Sequence, residues 1–376
     1  MIFRNLEKRI EQRLFKGKAI VVHGARQVGK TTLLRSIESK LTQKSLWLDC
    51  DEPDVRDKLT RTTSTQLKQL IGSSKVVFID EAQRVEDIGI TLKLVVDNIK
   101  DVQLVVSGSS AVELSGKINE TLTGRKFEFT LFPFSADELR RSSSEMEETR
   151  LLETRMIYGF YPDVVNNKGD EAVFLREIVD SSLYKDLLMY KDIRKPHIIP
   201  KLLQAIALQL GNEVSYNELS RIVEIDRETV ERYVDLLEKM FVLFRLNSFS
   251  RNLRVEINRS KKIYFWDTGV RNTLIANYNP LNLRSDTGAL WENFLIAERL
   301  KVNKLDANPC NTYFWRTIQQ QEIDYIEEKE GKLFAFEFKW GKGKNPRLPK
   351  TFANAYLEHS FTTVSPENYW DFVDKQ

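Results

Sequence analysis

Short, mostly apolar runs punctuate the first third of the chain. Ala19-Ile20-Val21-Val22, Ser45-Leu46-Trp47-Leu48-Asp49, Val76-Val77-Phe78-Ile79 and Val102-Gln103-Leu104-Val105-Val106 are each followed by small or polar residues. Runs of this length without alternation predict strands of a parallel sheet covered on both faces. Between them the apolar residues recur at helical spacing. Residues 1–17 place Leu6, Ile10 and Leu14 on one face, and helices are expected over Thr31–Leu41 and Ser64–Ile71. Strands alternating with helices predict an α/β domain.

The pattern changes at residue 135. Residues 135–150 are polar and charged and predict a helix end or exposed loop. Helical spacing returns at Leu151, breaks at Gly159-Phe160-Tyr161-Pro162, and resumes over Phe174–Leu188 and Ile198–Leu210. Ser215-Tyr216-Asn217-Glu218 matches a capping box that opens a short helix to Val223. A turn, Glu224-Ile225-Asp226, separates it from a longer helix over Arg227–Met240, and strands Val242–Leu246 and Lys262–Phe265 follow. Three helices with a tight turn before the last, and then a strand pair, resemble a winged helix-turn-helix.

In the last third, Leu290–Glu298 is helical and Tyr313-Phe314-Trp315 predicts a strand. Gln321–Glu327 and Leu333–Trp340 predict a hairpin turning at 328–332. Alternation puts Phe334, Phe336, Phe338 and Trp340 on one face, expected to meet the core, and Glu337 and Lys339 on the other. A symmetric hairpin sets Asp324 opposite Glu337, whereas a one-residue slip separates them. Three modules are expected, over residues 1–140, 141–275 and 276–376.

Composition adds exclusions. With 376 residues, 41% hydrophobic and 30% charged, the chain is an ordinary globular one of more than one domain. A net charge of +3 marks no bulk polyanion binder, so any basic surface is local. Two cysteines without a pairing pattern fit a reducing cytoplasm, and three histidines argue against a histidine-built metal site. No apolar run approaches membrane-spanning length, so no membrane partner is expected.

The candidate chemistry begins at Gly24-Ala25-Arg26-Gln27-Val28-Gly29-Lys30-Thr31, which fits G-x-x-x-x-G-K-[ST] between a strand and a helix. Such a loop wraps backbone amides around the phosphates of ATP. Lys30 would reach the β- and γ-phosphates, the Thr31 hydroxyl would hold Mg²⁺, and Thr32 continues the loop. Asp80 and Glu81, after the apolar run Val76–Ile79, have the Walker B pattern: Asp80 for Mg²⁺ and Glu81 to polarise the attacking water. Ser107 and Ser109, after the run ending at Val106, are alternative sensors of the γ-phosphate, in the manner of additional-strand ATPases.

Asp80-Glu81-Ala82-Gln83, Ser107-Gly108-Ser109-Ser110, Leu122-Thr123-Gly124-Arg125 and Leu131-Phe132-Pro133-Phe134-Ser135 together resemble a family of bacterial and archaeal ATPases with an AAA-type domain and a C-terminal domain of unknown function. The resemblance implies that Arg125 completes a nucleotide site, in its own chain or as an arginine finger for a neighbour in a homo-oligomer such as a ring. A second resemblance is to the PD-(D/E)XK nuclease superfamily, with Glu292 on a helix, Asp324 on a strand and Glu337 and Lys339 as E-x-K on the next strand. It implies a second metal held by Asp324, Glu337 and Glu292, and Lys339 beside the attacking water. The basic wing strip, Arg245, Arg251, Arg254, Arg259, Lys261 and Lys262, would contact a DNA backbone. These features suggest an ATPase that translocates on or remodels DNA, with or without cleavage. The alternative is a regulatory switch ATPase whose nuclease-like domain is only a platform.

Overall fold

The computed structural model describes residues 2–108, 121–184, 187, 195–250, 261–305, 310–341 and 346–374. The chain divides into two units, Met1–Phe134 with Lys239–Phe241, and Ser135–Glu238 with Val242–Gln376. Ser109, Arg251, Arg254 and Arg259 lie outside the described residues.

The first unit runs α1 (Asn5–Glu11), β1 (Ala19–His23), α2 (Lys30–Lys40), β2 (Ser45–Asp49), α3 (Pro53–Leu59), α4 (Ser64–Ile71), β3 (Val76–Asp80), α5 (Ile88–Asn98), β4 (Gln103–Gly108) and β5 (Lys126–Thr130). All five strands are parallel, in the order β2-β3-β4-β1-β5. β1, β3 and β4 are buried along their whole length, which is why their sequences run apolar without alternation. Ile88, Leu92 and Val95 of α5 join Leu67 and Ile71 of α4 in the core against the sheet. α1 is shorter than its spacing predicts. It ends at Glu11, before a turn that passes through Phe15 and Gly17 at φ 58° and 73°.

In the second unit, residues 135–150, expected as a helix end or exposed loop, form two short helices, α6 (Ala136–Ser142) and α7 (Glu145–Arg150). Ser135 and Glu138 form a reciprocal capping box, and Arg140 and Arg141 pair with Asp137 one turn away. The charges that suggest a loop are thus the cap and ladder of a helix. There follow α8 (Leu152–Tyr158), α9 (Pro162–Asn166), α10 (Glu171–Glu177), α11 (Ile199–Leu208), β6 (Glu213–Val214), α12 (Tyr216–Val223), α13 (Arg227–Lys239), β7 (Leu243–Ser248), β8 (Lys261–Phe265) and α14 (Thr268–Leu274). The C-terminal part adds α15 (Thr287–Leu305), β9 (Asn311–Arg316), β10 (Glu322–Lys329), β11 (Lys332–Phe338), α16 (Lys350–Ala355), β12 (His359–Val364) and α17 (Tyr369–Val373).

Strands from the middle and C-terminal parts share one seven-stranded sheet, β12-β11-β10-β9-β7-β8-β6. β7 and β9 join the two parts in parallel. The β10–β11 hairpin closes through Glu330 and Gly331, both at positive φ (53° and 81°), as a two-residue turn of this kind requires. The expected split into an aromatic core face and a polar face does not hold. Phe334 is exposed, while Leu333 and Ala335, on the face of Glu337, are buried with Phe352 of α16. Phe336 and Phe338 pack on Phe372 of α17 at centroid distances of 4.8 and 5.3 Å. Both faces of this hairpin are covered, so alternation does not sort core from solvent.

Gly159 ends α8 at φ 74°. A Cβ there would lie 2.1 Å from Asp267 Oδ1, and the same carboxylate accepts from Phe160 N (2.7 Å) and Val270 N (3.0 Å). Gly159→Ala is expected to cost more than the roughly 1–2 kcal/mol of a left-handed residue. Gly169→Ala, also at positive φ but with open space around its Cβ, stays within that range. Thermal unfolding of the two variants checks the difference.

Candidate functional site

β1 delivers the chain into Gly24, where a Cβ would lie 2.2 Å from the Leu131 carbonyl oxygen. Leu131 N donates to His23 O at 2.7 Å, so the segment after β5 seats the start of the loop. Arg4 braces both. Its Nη1 donates to Val28 O (2.8 Å), its Nη2 to Phe132 O (2.6 Å), and its guanidinium lies 4.7 Å from the Phe134 ring centroid. Sequence reasoning missed Arg4, since an isolated arginine near the start of α1 carries no motif.

Gln27 and Gly29 turn the loop at φ 60° and 91°, and Gly29 is the N-cap of α2. Lys30 folds over its own loop, donating to Gly24 O (3.1 Å) and Ala25 O (2.8 Å). Thr31 Oγ1 donates to Asp80 Oδ2 at 2.6 Å, Ser107 Oγ donates to Asp80 Oδ1, and Glu81 N reaches the same Oδ1 at 3.1 Å. Glu81 itself stands at φ 50°, and Gln83 Nε2 donates to its carboxylate. Thr31, Asp80 and Ser107 thus converge, with Lys30 beside Thr31 turned onto the loop. Ala25, Arg26, Gln27 and Thr32 are at least partly exposed, whereas Val28 is fully buried and offers the site only its backbone.

Arg125 is not in this constellation. It precedes β5, its carbonyl accepts from Ala19 N at 2.9 Å, and its Nε donates to Asp97 Oδ1 at 2.7 Å. β5 runs parallel to β1, so Arg125 sits at the opposite end of the sheet from the loop, a five-residue strand or roughly 16 Å away. It cannot complete the nucleotide site of its own chain.

The hydroxyl of Thr31 and carboxylate of Asp80 are hard oxygen donors that fit Mg²⁺, and the loop amides fit phosphate. Mg²⁺ bound with ATP would neutralise the charge that develops on the transferred phosphate. The family model described as "AAA domain" matches residues 16–140. The chain carries an AAA domain. Two models for domains of unknown function match residues 149–285 (DUF8612) and 287–368 (DUF4143).

Similar proteins are an uncharacterized protein of Mycobacterium tuberculosis, 27% identical over 359 residues (94% of this chain, 77% of the relative), and one of Haemophilus influenzae, 26% identical over 349 residues (83% and 80%). A signal-transduction ATPase with numerous domains from Pyrococcus horikoshii shares 11% identity and a TM-score of 0.31 (80% of this chain, 45% of that one). A Pif1 helicase structure at forked duplex DNA shares 15% and 0.28 (49% and 53%). This chain spans about half the length of these two solved chains. Among the described residues no helix is long and apolar enough to cross a membrane.

A second cluster lies in the other unit. Glu292 of α15 accepts from Tyr264 Oη (2.5 Å) and Lys262 Nζ (2.9 Å), and Lys262 also meets Glu322 Oε1 at 2.5 Å. The register Tyr325↔Phe336 continues to set Asp324 opposite Glu337. Asp324 Oδ2 accepts from Phe338 N at 2.7 Å, and Glu337 accepts from Lys339 Nζ at 2.9 Å. Burial, and then Glu292 and Glu337, push the Asp324 carboxyl well above the usual range. Burial raises Glu292 too, against the pull of Lys262. For Lys262 burial is outweighed by its two glutamates, which hold it above its ordinary value.

Glu292, Asp324, Glu337 and Lys339 are therefore neighbours, but the metal expected from sequence does not fit them as arranged. A buried ammonium already lies on Glu292. Among the described residues no group of three or more His, Cys, Asp or Glu side chains is arranged for a metal ion. The wing strip is also corrected. Lys262 is 1% exposed, and Arg245 is engaged with Asp235 (2.8 Å), Glu238 and the Tyr216 hydroxyl (3.2 Å). Lys261 lies over the Tyr216 ring at 5.1 Å.

Two outcomes are expected. Lys30→Ala should reduce steady-state ATP turnover to background, and Glu81→Gln should keep ATP bound while lowering turnover by two orders of magnitude or more, roughly the worth of a positioned base. Filter binding alongside phosphate release checks both. For Asp324, a raised carboxyl pKa means that the fold favours the neutral form. Its contribution to stability is present below the ordinary carboxylate range and is lost as pH rises through the raised value. Asp324→Asn should therefore raise the Tm by a few degrees at pH 8, with a gap that narrows toward pH 4, as read by pH-resolved thermal unfolding.

Proposed function

We propose that the protein hydrolyses ATP with Mg²⁺ and uses the cycle to translocate on or remodel duplex or branched DNA in the cytoplasm. The observation that carries the DNA reading is the neighbourhood of Glu292, Asp324, Glu337 and Lys339 around one hairpin and one helix, as in a PD-(D/E)XK fold. The order α11-β6-α12-α13-β7-β8, with β8 paired to both β6 and β7, supports a winged helix-turn-helix within residues 141–275. Residues 1–140 are the motor and residues 276–376 the nuclease-like module in this reading. A homo-oligomer, with a ring as one form, belongs to this reading as well, with Arg125 offered to the nucleotide of a second copy.

A second reading has its own observation. Arg245 and Lys262 are committed to internal carboxylates, which favours a regulatory switch ATPase whose second unit is a platform for a protein partner. Steady-state ATP hydrolysis with and without single-stranded, duplex and branched DNA separates the two, with Lys30→Ala as the blank. Stimulation of tenfold or more by one DNA form is the expected result. Slow turnover that no DNA changes would overturn the DNA reading in favour of the switch.

A further inference from the structure

The acid cluster of the second unit already contains a cation. Lys262 stands on β8 with its ammonium 2.9 Å from Glu292 Oε1, 2.5 Å from Glu322 Oε1 and 5.3 Å from the centroid of the Phe314 ring. The side chain is 1% exposed, on a strand paired on one side to β7 and on the other to β6. Tyr264, two residues along, donates to the same Glu292 oxygen, so α15 is tied to β8 twice. Asp324 Oδ2 accepts from the Phe338 amide and Glu337 Oε1 from the Lys339 ammonium. A divalent cation drawn to the remaining carboxylate oxygens would sit within a few ångströms of a buried positive charge. Such repulsion is screened least where water is excluded.

The geometry points to Lys262 as a resident substitute for the metal: its ammonium, held by Glu292 and Glu322 beside Asp324, opposes entry of a divalent cation, so the nuclease-like centre takes up no Mg²⁺ or Mn²⁺ and does not hydrolyse phosphodiester bonds. The inference rests on the nuclease-like reading of Glu292, Asp324, Glu337 and Lys339. It explains how that constellation can persist with its acids paired internally. Any work on DNA then comes from ATP turnover in the first unit.

The test uses the full chain without nucleotide, Mn²⁺ as the probe, electron paramagnetic resonance of free Mn²⁺, and thermal unfolding. Wild type should show no Mn²⁺ binding that Asp324→Asn removes. Lys262→Met takes away the ammonium and keeps the chain length. It should unfold at lower temperature without metal, bind Mn²⁺ at least tenfold more tightly than wild type, and regain Tm with Mn²⁺. Adding Asp324→Asn to Lys262→Met should abolish the gain. Mn²⁺ binding by wild type that Asp324→Asn removes would overturn the inference, as would a folded Lys262→Met that gains no site. Should Lys262→Met fail to fold, the comparison of wild type with Asp324→Asn carries the test alone. Failure of the DNA reading shows instead as missing DNA stimulation of ATP turnover, which none of these outcomes mimics.

Discussion

The first unit depends on how one buried carboxylate is satisfied. Asp80 is 3% exposed at the end of β3 and accepts from the Thr31 hydroxyl, the Ser107 hydroxyl and the Glu81 amide. A buried carboxylate is costly unless hydrogen bonds replace its water. Here the replacements come from the helix after β1 and from β4. That is possible because β4 lies between β1 and β3, so all three strands deliver their ends to one edge of the sheet. The loop is fixed from outside the motif, by the Leu131 carbonyl against Gly24 and by Arg4 on Val28. The phosphate-binding geometry is thus a property of the sheet edge and not of eight residues alone.

The second unit solves a similar problem with the opposite sign. Lys262 is buried on a strand, and Glu292 and Glu322 offset its desolvation. Breaking a pair of this kind leaves an uncompensated buried charge, so the cluster is held closed by its own energetics. The two carboxylates that bind the ammonium come from α15 and β10, which ties the long helix and the hairpin to the strand that also pairs with β6. The same contacts that withdraw basic charge from the wing make the seven-stranded sheet one structure.

What was legible in the sequence was local. The glycine loop, the apolar strand ending at Asp80 and the helix over Ser64–Ile71 are each specified by residues close in the chain. The hairpin was legible but its register was open to a one-residue slip, and the structure closes it through a two-residue turn at Glu330-Gly331. What was not legible depended on distant partners. Lys262 reads as part of a basic strip until Glu292 and Glu322 are folded against it. Arg125 reads as a site arginine until the direction of β5 puts it at the far end of the sheet. Residues 135–150 read as a helix end or exposed loop because their charges look solvated, yet Asp137 and Glu138 are buried within a capped helix.

The measurement that tests the central claim most directly is the Mg²⁺ dependence of ATP affinity in wild type and in Asp80→Asn, by calorimetry on the full chain. Asp80 joined to Thr31 predicts that Mg²⁺ tightens ATP binding in wild type and that Asp80→Asn loses most of this effect while still binding metal-free ATP. An unchanged Mg²⁺ effect in Asp80→Asn would contradict the assigned nucleotide site.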